Sequence, residues 1–258
     1  MSVVSLSPVE SSAVDSVVDG LLRTIVAEGM VERALLPPER ELAEQFEVSR
    51  LTIREAMKTL ATLGVVTVKR GSGTFVNPES QWSRFNPSVL ASLVRDPSDA
   101  AETSRQLIEA RRLVEVGVAE LAAERRANRH LDALTQTLES MWDAHETDDC
   151  DAWASADLAF HDTLMDAAGN PFVTLLFGPL AELLRRDRHE PAADGGNRTR
   201  ALRWHQRILD AVRAGDVAAA RSAMDGHLRD TQHILAEWRS SNPERATRDS
   251  VQPLGART

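Results

Sequence analysis

From Asp15 to Glu28 apolar positions, Val17, Leu21 and Ile25 among them, recur at helical spacing until EGMVERALLPP breaks the pattern, which predicts one helix and a loop. PERELAEQF then predicts a short second helix opened by Pro38, with Glu39 and Glu41 in the first turn, where the helix dipole favours negative charge. After the tight connection EVS, Ser49 caps a third helix whose buried stripe is Ile53, Met57, Leu60 and Leu63, and Gly64 is placed to end it. In VVTVKRGSGTFV, two β-branched runs separated by RGSG predict a hairpin with glycines at its turn. Three helices and a hairpin within about 65 residues make a winged helix-turn-helix pattern.

Beyond it, NPESQWSRFNPSVLASLVRDPS carries three prolines and little periodicity, so a linker is expected, with a short helix at SVLASLV. The remainder is helical in six segments: Ala100–Asn128, His130–Glu146, Asp151–Ala168, Pro171–His189, Arg198–Ala214 and Asp216–Ser240. Asn170 with Pro171, and Gly215 with Asp216, punctuate this series as cap signals. The expected organisation is a flexible arm over 1–13, a winged helix-turn-helix DNA-binding domain over 14–77 and a linker over 78–98. An all-helical domain over 99–240 and a disordered tail over 241–258 complete it. The fold class is mainly α, a winged helix-turn-helix followed by an all-α helical bundle.

Composition narrows the function. Hydrophobic residues make up 42% of the 258, ordinary for a globular chain with a sizeable core. No apolar run is long enough to span a membrane and MSVVSLSPVESS lacks the features of a signal peptide, so a cytoplasmic protein is expected. The single cysteine, Cys150, rules out an intramolecular disulfide and any multi-cysteine zinc site. A net charge of −9 argues against coating nucleic acid nonspecifically, yet the total hides a local ridge. Arg50, Arg54 and Lys58 recur every four residues beside the apolar stripe of the third helix. Between Val48 and Ser72, Arg50, Arg54, Lys58, Lys69 and Arg70 face only Glu55, a local charge of +4. An arginine fork suits guanine in the major groove, Ser49 and Thr52 suit phosphates, and Arg70 at the hairpin tip suits a neighbouring groove. A plain solvated basic face is the competing explanation for the helix alone, and the hairpin shifts the balance towards DNA.

LPPERELAEQFEVSRLTIREAMKTLATLGVVTVKRGSGTFV, Leu36 to Val76, resembles the DNA-binding domain of GntR-family bacterial transcription regulators along its whole length. The resemblance implies DNA contacts from Arg40, Ser49, Arg50, Thr52, Arg54, Arg70 and Gly71. MVERALLPP stands where that family usually has a proline-glycine turn.

In the helical half, Asp157 and His161 share a face with Trp153, Leu164 and Ala168. His205 lies on the stripe Leu202, His205, Leu209, Val212, and His227 on Val217, Ala220, Met224, His227. His130, His145, His189 and His233 have no comparable partners and read as surface or incidental. A lone inward histidine is more often a satisfied core residue than a ligand. One carboxylate and three imidazoles from three helices can instead surround a divalent cation, Zn²⁺ first, with Ni²⁺ or Mn²⁺ as alternatives. Spacing alone leaves both readings open. Arg111, on the stripe Leu107, Arg111, Val114, Val118, needs an anion, which Glu115 or a ligand carboxylate can supply.

EARRLVEVGVAELAAERR, DLAFHDTLMDAAGNP and HQRILDAVRAGDVAAARSAMDGHL are similar to the three recurring segments of the FCD effector-binding domain of FadR-type GntR regulators. The resemblance covers roughly residues 100–238 and implies that Asp157, His161, His205 and His227 hold a divalent metal ion while Arg111 meets an effector carboxylate. Trp204 stands where the family usually has a glutamate. The segment QWSRFNPSVLASL is similar to one found in members that answer to sugar acids. Together these imply a homodimeric regulator, a repressor in the expected case, that binds an inverted-repeat operator and responds to a small carboxylate effector. Two alternatives remain at this level. One is a metal-dependent enzyme acting on a small carboxylate, which lacks a recognisable general base and has no use for a DNA module. The other is a structural metal, or none, in a helical half that only dimerises.

Overall fold

The computed structural model describes residues 12–29, 33–94, 100–187 and 195–241. The expected arm before Ser12, the tail from residue 242 and His189 lie outside the described residues. The chain divides into two compact units, the first running to Val94.

In the first unit, α1 (Ala13–Ala27) opens on a capping box: the Asp15 amide donates to the Ser12 hydroxyl at 3.2 Å, and the Ser12 amide donates to the Asp15 carboxylate at 3.1 Å. Val17, Val18, Leu21, Leu22 and Ile25 form its buried face. Helices α2 (Glu39–Gln45) and α3 (Arg50–Thr62) follow, with Pro38 as the cap residue of α2. The Ser49 hydroxyl accepts the Thr52 amide at 3.1 Å and so caps α3. Strands β1 (Val66–Lys69) and β2 (Gly73–Val76) pair antiparallel with Val66 opposite Val76. Leu35 bridges to Phe75, which ties the chain ahead of α2 to the hairpin. Leu22, Ile53, Leu60 and Val65 are fully buried where these elements meet.

The segment expected as a linker is built into this unit as far as Val94. A 3₁₀ turn (Glu79–Gln81) and α4 (Pro87–Val94) follow the hairpin, and α4 packs on α1. Trp82 is buried and its indole N–H donates to the Asn77 carbonyl at 3.0 Å, while Val89 is fully buried in the same core. The Asn77 side-chain Nδ2 also donates to the Gly64 carbonyl at 2.8 Å. Gly64 has φ +73°, and a Cβ there would stand 2.3 Å from the Gln81 carbonyl oxygen, so only glycine lets the segment lie this close. Trp82, Val89 and Leu93 anchor the segment on this core, Val89 and Leu93 from one face of α4.

The second unit contains α5 (Ala100–Arg125), α6 (Asn128–Glu146), α7 (Cys150–Ala168), α8 (Pro171–Asp187), α9 (Gly195–Ala214) and α10 (Val217–Ser241). Helix α5 packs on α7 and α10, α6 on α7 and α9, and α9 on α10. Ala119, Ala122 and Ala123 keep the α5 surface low, and Leu134, Met141, Phe160, Leu202, Ile208 and Met224 fill the interior. Asp149 caps α7 by accepting the Asp151 and Ala152 amides, and Gly169 at φ +62° ends it. His130, read as surface or incidental, is buried, and its Nδ1 accepts the Ala127 amide at 3.0 Å at the start of α6. Its Nε2 lies 3.2 Å from the Asp166 carboxylate. No helix among the described residues is long and apolar enough to cross a membrane.

Trp204 closes the seam between α9 and α10. Its ring lies over Gly226, where an added Cβ would meet it at 2.4 Å, and its indole N–H donates to Asp230 at 3.3 Å. Gly226→Ala is therefore expected to lower stability by about 1–3 kcal/mol through overpacking. Thermal unfolding checks this, and Trp204→Leu in the same chain should recover most of the loss.

Candidate metal centre and nucleic-acid interface

The seven residues matched to DNA contacts all lie in the first unit. Arg40, Ser49, Arg50, Arg54, Arg70 and Gly71 are exposed, and Thr52 is half-buried. Arg50, Arg54 and Lys58 project from α3 away from its buried positions Ile53, Ala56, Met57 and Leu60. Arg54 pairs with Glu39 of α2 at 3.1 Å, and Lys58 with Glu55 at 2.8 Å. Exposed pairs of this kind carry little energy, so phosphate can displace the carboxylates. The Ser49 and Thr52 hydroxyls lie 2.8 Å apart, which fixes the first turn of α3. At the hairpin tip the Ser72 amide donates to the Lys69 carbonyl at 2.9 Å, with Arg70 and Gly71 at the corners. Sequence patterning passed over Leu51, which is 66% exposed on the outer face of α3. Its helical position opposite the buried stripe was the available signal.

The second site is assembled from three helices of the other unit. Asp157 and His161 come from α7, His205 from α9 and His227 from α10. All four are buried, and one ligand atom from each lies within 4.8 Å of the others. His205 Nε2 stands 3.1 Å and His161 Nε2 3.9 Å from Asp157 Oδ1. The His227 ring is 4.6 Å from the His205 ring and 5.4 Å from the His161 ring, centroid to centroid. Phe160 stands edge-on to His205 at 4.7 Å and closes one side.

Contacts behind two of the rings select their tautomers. His205 Nδ1 lies 2.8 Å from the Ala201 carbonyl, an oxygen that only accepts, so Nδ1 carries the proton and Nε2 presents a lone pair to the cluster. His161 Nδ1 is 2.7 Å from Glu115 Oε2, which likewise turns its Nε2 inward. Glu115 in turn accepts from Arg111 Nε at 2.6 Å and Nη2 at 3.3 Å, and Arg111 Nη2 reaches 3.5 Å from His161 Nε2. Burial opposes the charge on Glu115, but the Arg111 guanidinium and the His161 ring outweigh it and hold its carboxyl far below the usual carboxylate range. The sequence placed Glu115 one turn from Arg111, but nothing in it placed Glu115 against His161.

This donor set fits a divalent ion. Two imidazole nitrogens are oriented inward from behind, and Asp157 adds a buried carboxylate oxygen 3.1 Å from His205 Nε2, a nitrogen and oxygen donor set of the kind that binds divalent ions. Nitrogen and carboxylate donors without a thiolate suit zinc, nickel or manganese. When bound, such an ion supplies a Lewis-acidic positive charge that a carboxylate can approach.

Comparison with known proteins agrees with both halves. Residues 13–76 match the family model described as bacterial regulatory proteins, gntR family, and residues 106–230 match the FCD domain. The HTH-type transcriptional regulator LutR of Bacillus subtilis is 33% identical over 206 residues, covering 78% of this chain and 91% of the relative. The galactonate operon transcriptional repressor of Escherichia coli is 31% identical over 210 residues, covering 81% and 90%. Among solved structures, Streptococcus agalactiae GntR shares 29% identity at a TM-score of 0.50, with 85% of this chain and 99% of that one covered. The chain thus belongs to the GntR family, FadR type with an FCD domain, and is a DNA-binding transcriptional regulator, not an enzyme.

Proposed function

We propose that this regulator is a cytoplasmic homodimeric repressor that binds an inverted-repeat operator and changes its affinity when a small carboxylate binds beside a divalent metal ion in the helical unit. Asp157, His161, His205 and His227 hold the ion, zinc in the first instance, and the effector carboxylate fills its open positions next to Arg111. The observation that carries this reading is the convergence of four buried donors, within 4.8 Å of one another, against a buried guanidinium. A sugar acid is the effector class of first choice, since its carboxylate and neighbouring hydroxyl offer an ion two oxygens, and one relative is named for the galactonate operon. The effector must bind the DNA-competent and DNA-incompetent dimer arrangements with unequal affinity, or it switches nothing. Dimerisation follows from the DNA side, because one recognition helix covers only a few base pairs.

A thermal-shift screen of sugar acids, hydroxy acids, dicarboxylates and amino acids on metal-loaded protein, followed by operator binding with each hit, tests the reading. A hit that stabilises the protein and alters operator affinity is the expected result. One observation favours a second reading: Arg111 already spends two nitrogens on Glu115. If stripping the metal lowers Tm but no acid alters operator affinity, the ion is structural and the helical unit only dimerises.

On the DNA side, we assign base recognition to Arg50 and phosphate contact to Lys58. Arg50→Ala should weaken binding to the specific site by about 1–3 kcal/mol and relax its sequence preference, while Lys58→Ala should weaken all sequences alike. Equal losses on specific and random duplexes for Arg50→Ala would remove its base-reading role.

A further inference from the structure

We propose that Leu51 reads the 5-methyl group of a thymine in each operator half-site. The inference rests on the reading that α3 enters the major groove. Leu51 is 66% exposed in the first turn of α3, between Arg50 and the half-buried Thr52. It lies two residues before Ile53, which is fully buried, and at 3.6 residues per turn that separation turns its side chain to the far side of the helix. Arg54, Glu55 and Lys58 follow it at three, four and seven residues, so they share its face. Leu51 is thus the apolar member of an otherwise charged outer surface.

The position and the chemistry point the same way. The first turn of a recognition helix is the part that meets base edges, while later turns run out towards the backbone. An isobutyl group makes no bond to phosphate, and the thymine methyl is the only apolar group on the major-groove edges of the four bases. Set against a cytosine amine or a guanine carbonyl, Leu51 would strip water from a polar group and return no hydrogen bond. The side chain therefore attracts a thymine and rejects the other bases at the same position, beside the base pairs assigned to Arg50. Leucine and alanine have similar helix propensity and Leu51 stands outside the buried core, so Leu51→Ala removes the contact without disturbing the fold.

The test uses the full chain and a site selected by it from random duplexes. Each thymine of the selected half-site is replaced symmetrically by deoxyuridine, which lacks only the methyl group. At one position deoxyuridine should weaken wild-type binding about three- to fivefold per half-site, the worth of one buried methyl. Leu51→Ala, with an unchanged Tm, should bind the thymine and deoxyuridine sites equally and should lose base preference at that position on reselection. The proposal is overturned if wild-type protein tolerates deoxyuridine at every thymine, or if Leu51→Ala keeps the wild-type thymine preference. A wild type that selects no sequence above random overturns the groove reading and this proposal together. A selected site that depends on Arg50 but ignores the methyl group overturns the thymine contact alone.

Discussion

Glu115→Leu is expected to destabilise the helical unit by about 3–5 kcal/mol, because it strands the Arg111 guanidinium without its partner in a site 3% exposed. Arg111 and Glu115 lie one helical turn apart on α5 and meet at 2.6 Å, with both side chains out of water. A buried pair of this kind gains little over well-packed apolar residues, because its attraction is offset by the water both charges lose. Removing one partner leaves that desolvation uncompensated. The double change Arg111→Met with Glu115→Leu should consequently cost far less than Glu115→Leu alone. Calorimetry on the three proteins checks the ordering, and a double variant as unstable as the single one would show that the pair is not the source of the loss. Glu115→Leu also releases His161 Nδ1 from its 2.7 Å contact, so its metal affinity should fall by about 10- to 100-fold, the usual cost of losing an outer partner of a metal-bound histidine.

The second large effect concerns the cluster itself. Wild-type protein purified without chelator should carry one divalent ion per chain, and His205→Ala combined with His227→Ala should carry none. Elemental analysis reads the metal directly, and circular dichroism shows whether the double variant retains its helices. Unchanged metal content in a folded double variant would eliminate the site. Wild-type protein supplies an arm that needs no mutation: chelation should lower its Tm and zinc should restore it, since an ion that binds only the folded state stabilises that state by mass action. An unaltered Tm after complete removal would mean that the four donors are satisfied without a cation.

The two halves of the chain were legible to different depths. In the DNA-binding unit several elements have a local cause that can be read in order: the Ser49 cap, the Ile53, Met57 and Leu60 stripe, and the turn glycines, whereas the Ser12 cap lies where the sequence predicts a flexible arm. After the hairpin the short helix at SVLASLV was legible, but its packing on α1 was not, because the burial of Val89 depends on residues far away in the sequence. In the helical unit, inward faces were visible for Asp157, His161, His205, His227 and Arg111, since each sits in a stripe of apolar residues at helical spacing. His130 read as surface or incidental because its role is a cap, which depends on where the preceding backbone turns.

Hydrophobic period and capping are properties of a few neighbouring residues, so the amino-acid order was enough to establish the helices, the hairpin, the basic ridge of α3 and the side of each helix on which a titratable group sits. Three-dimensional packing alone decided which inward groups meet. Helices α7, α9 and α10 bring Asp157, His161, His205 and His227 within 4.8 Å, and α5 sets Glu115 against His161 and leaves Arg111 paired in advance of any effector. Distances between helices depend on crossing angle and side-chain volume across the whole core, and no local stretch of sequence carries that information.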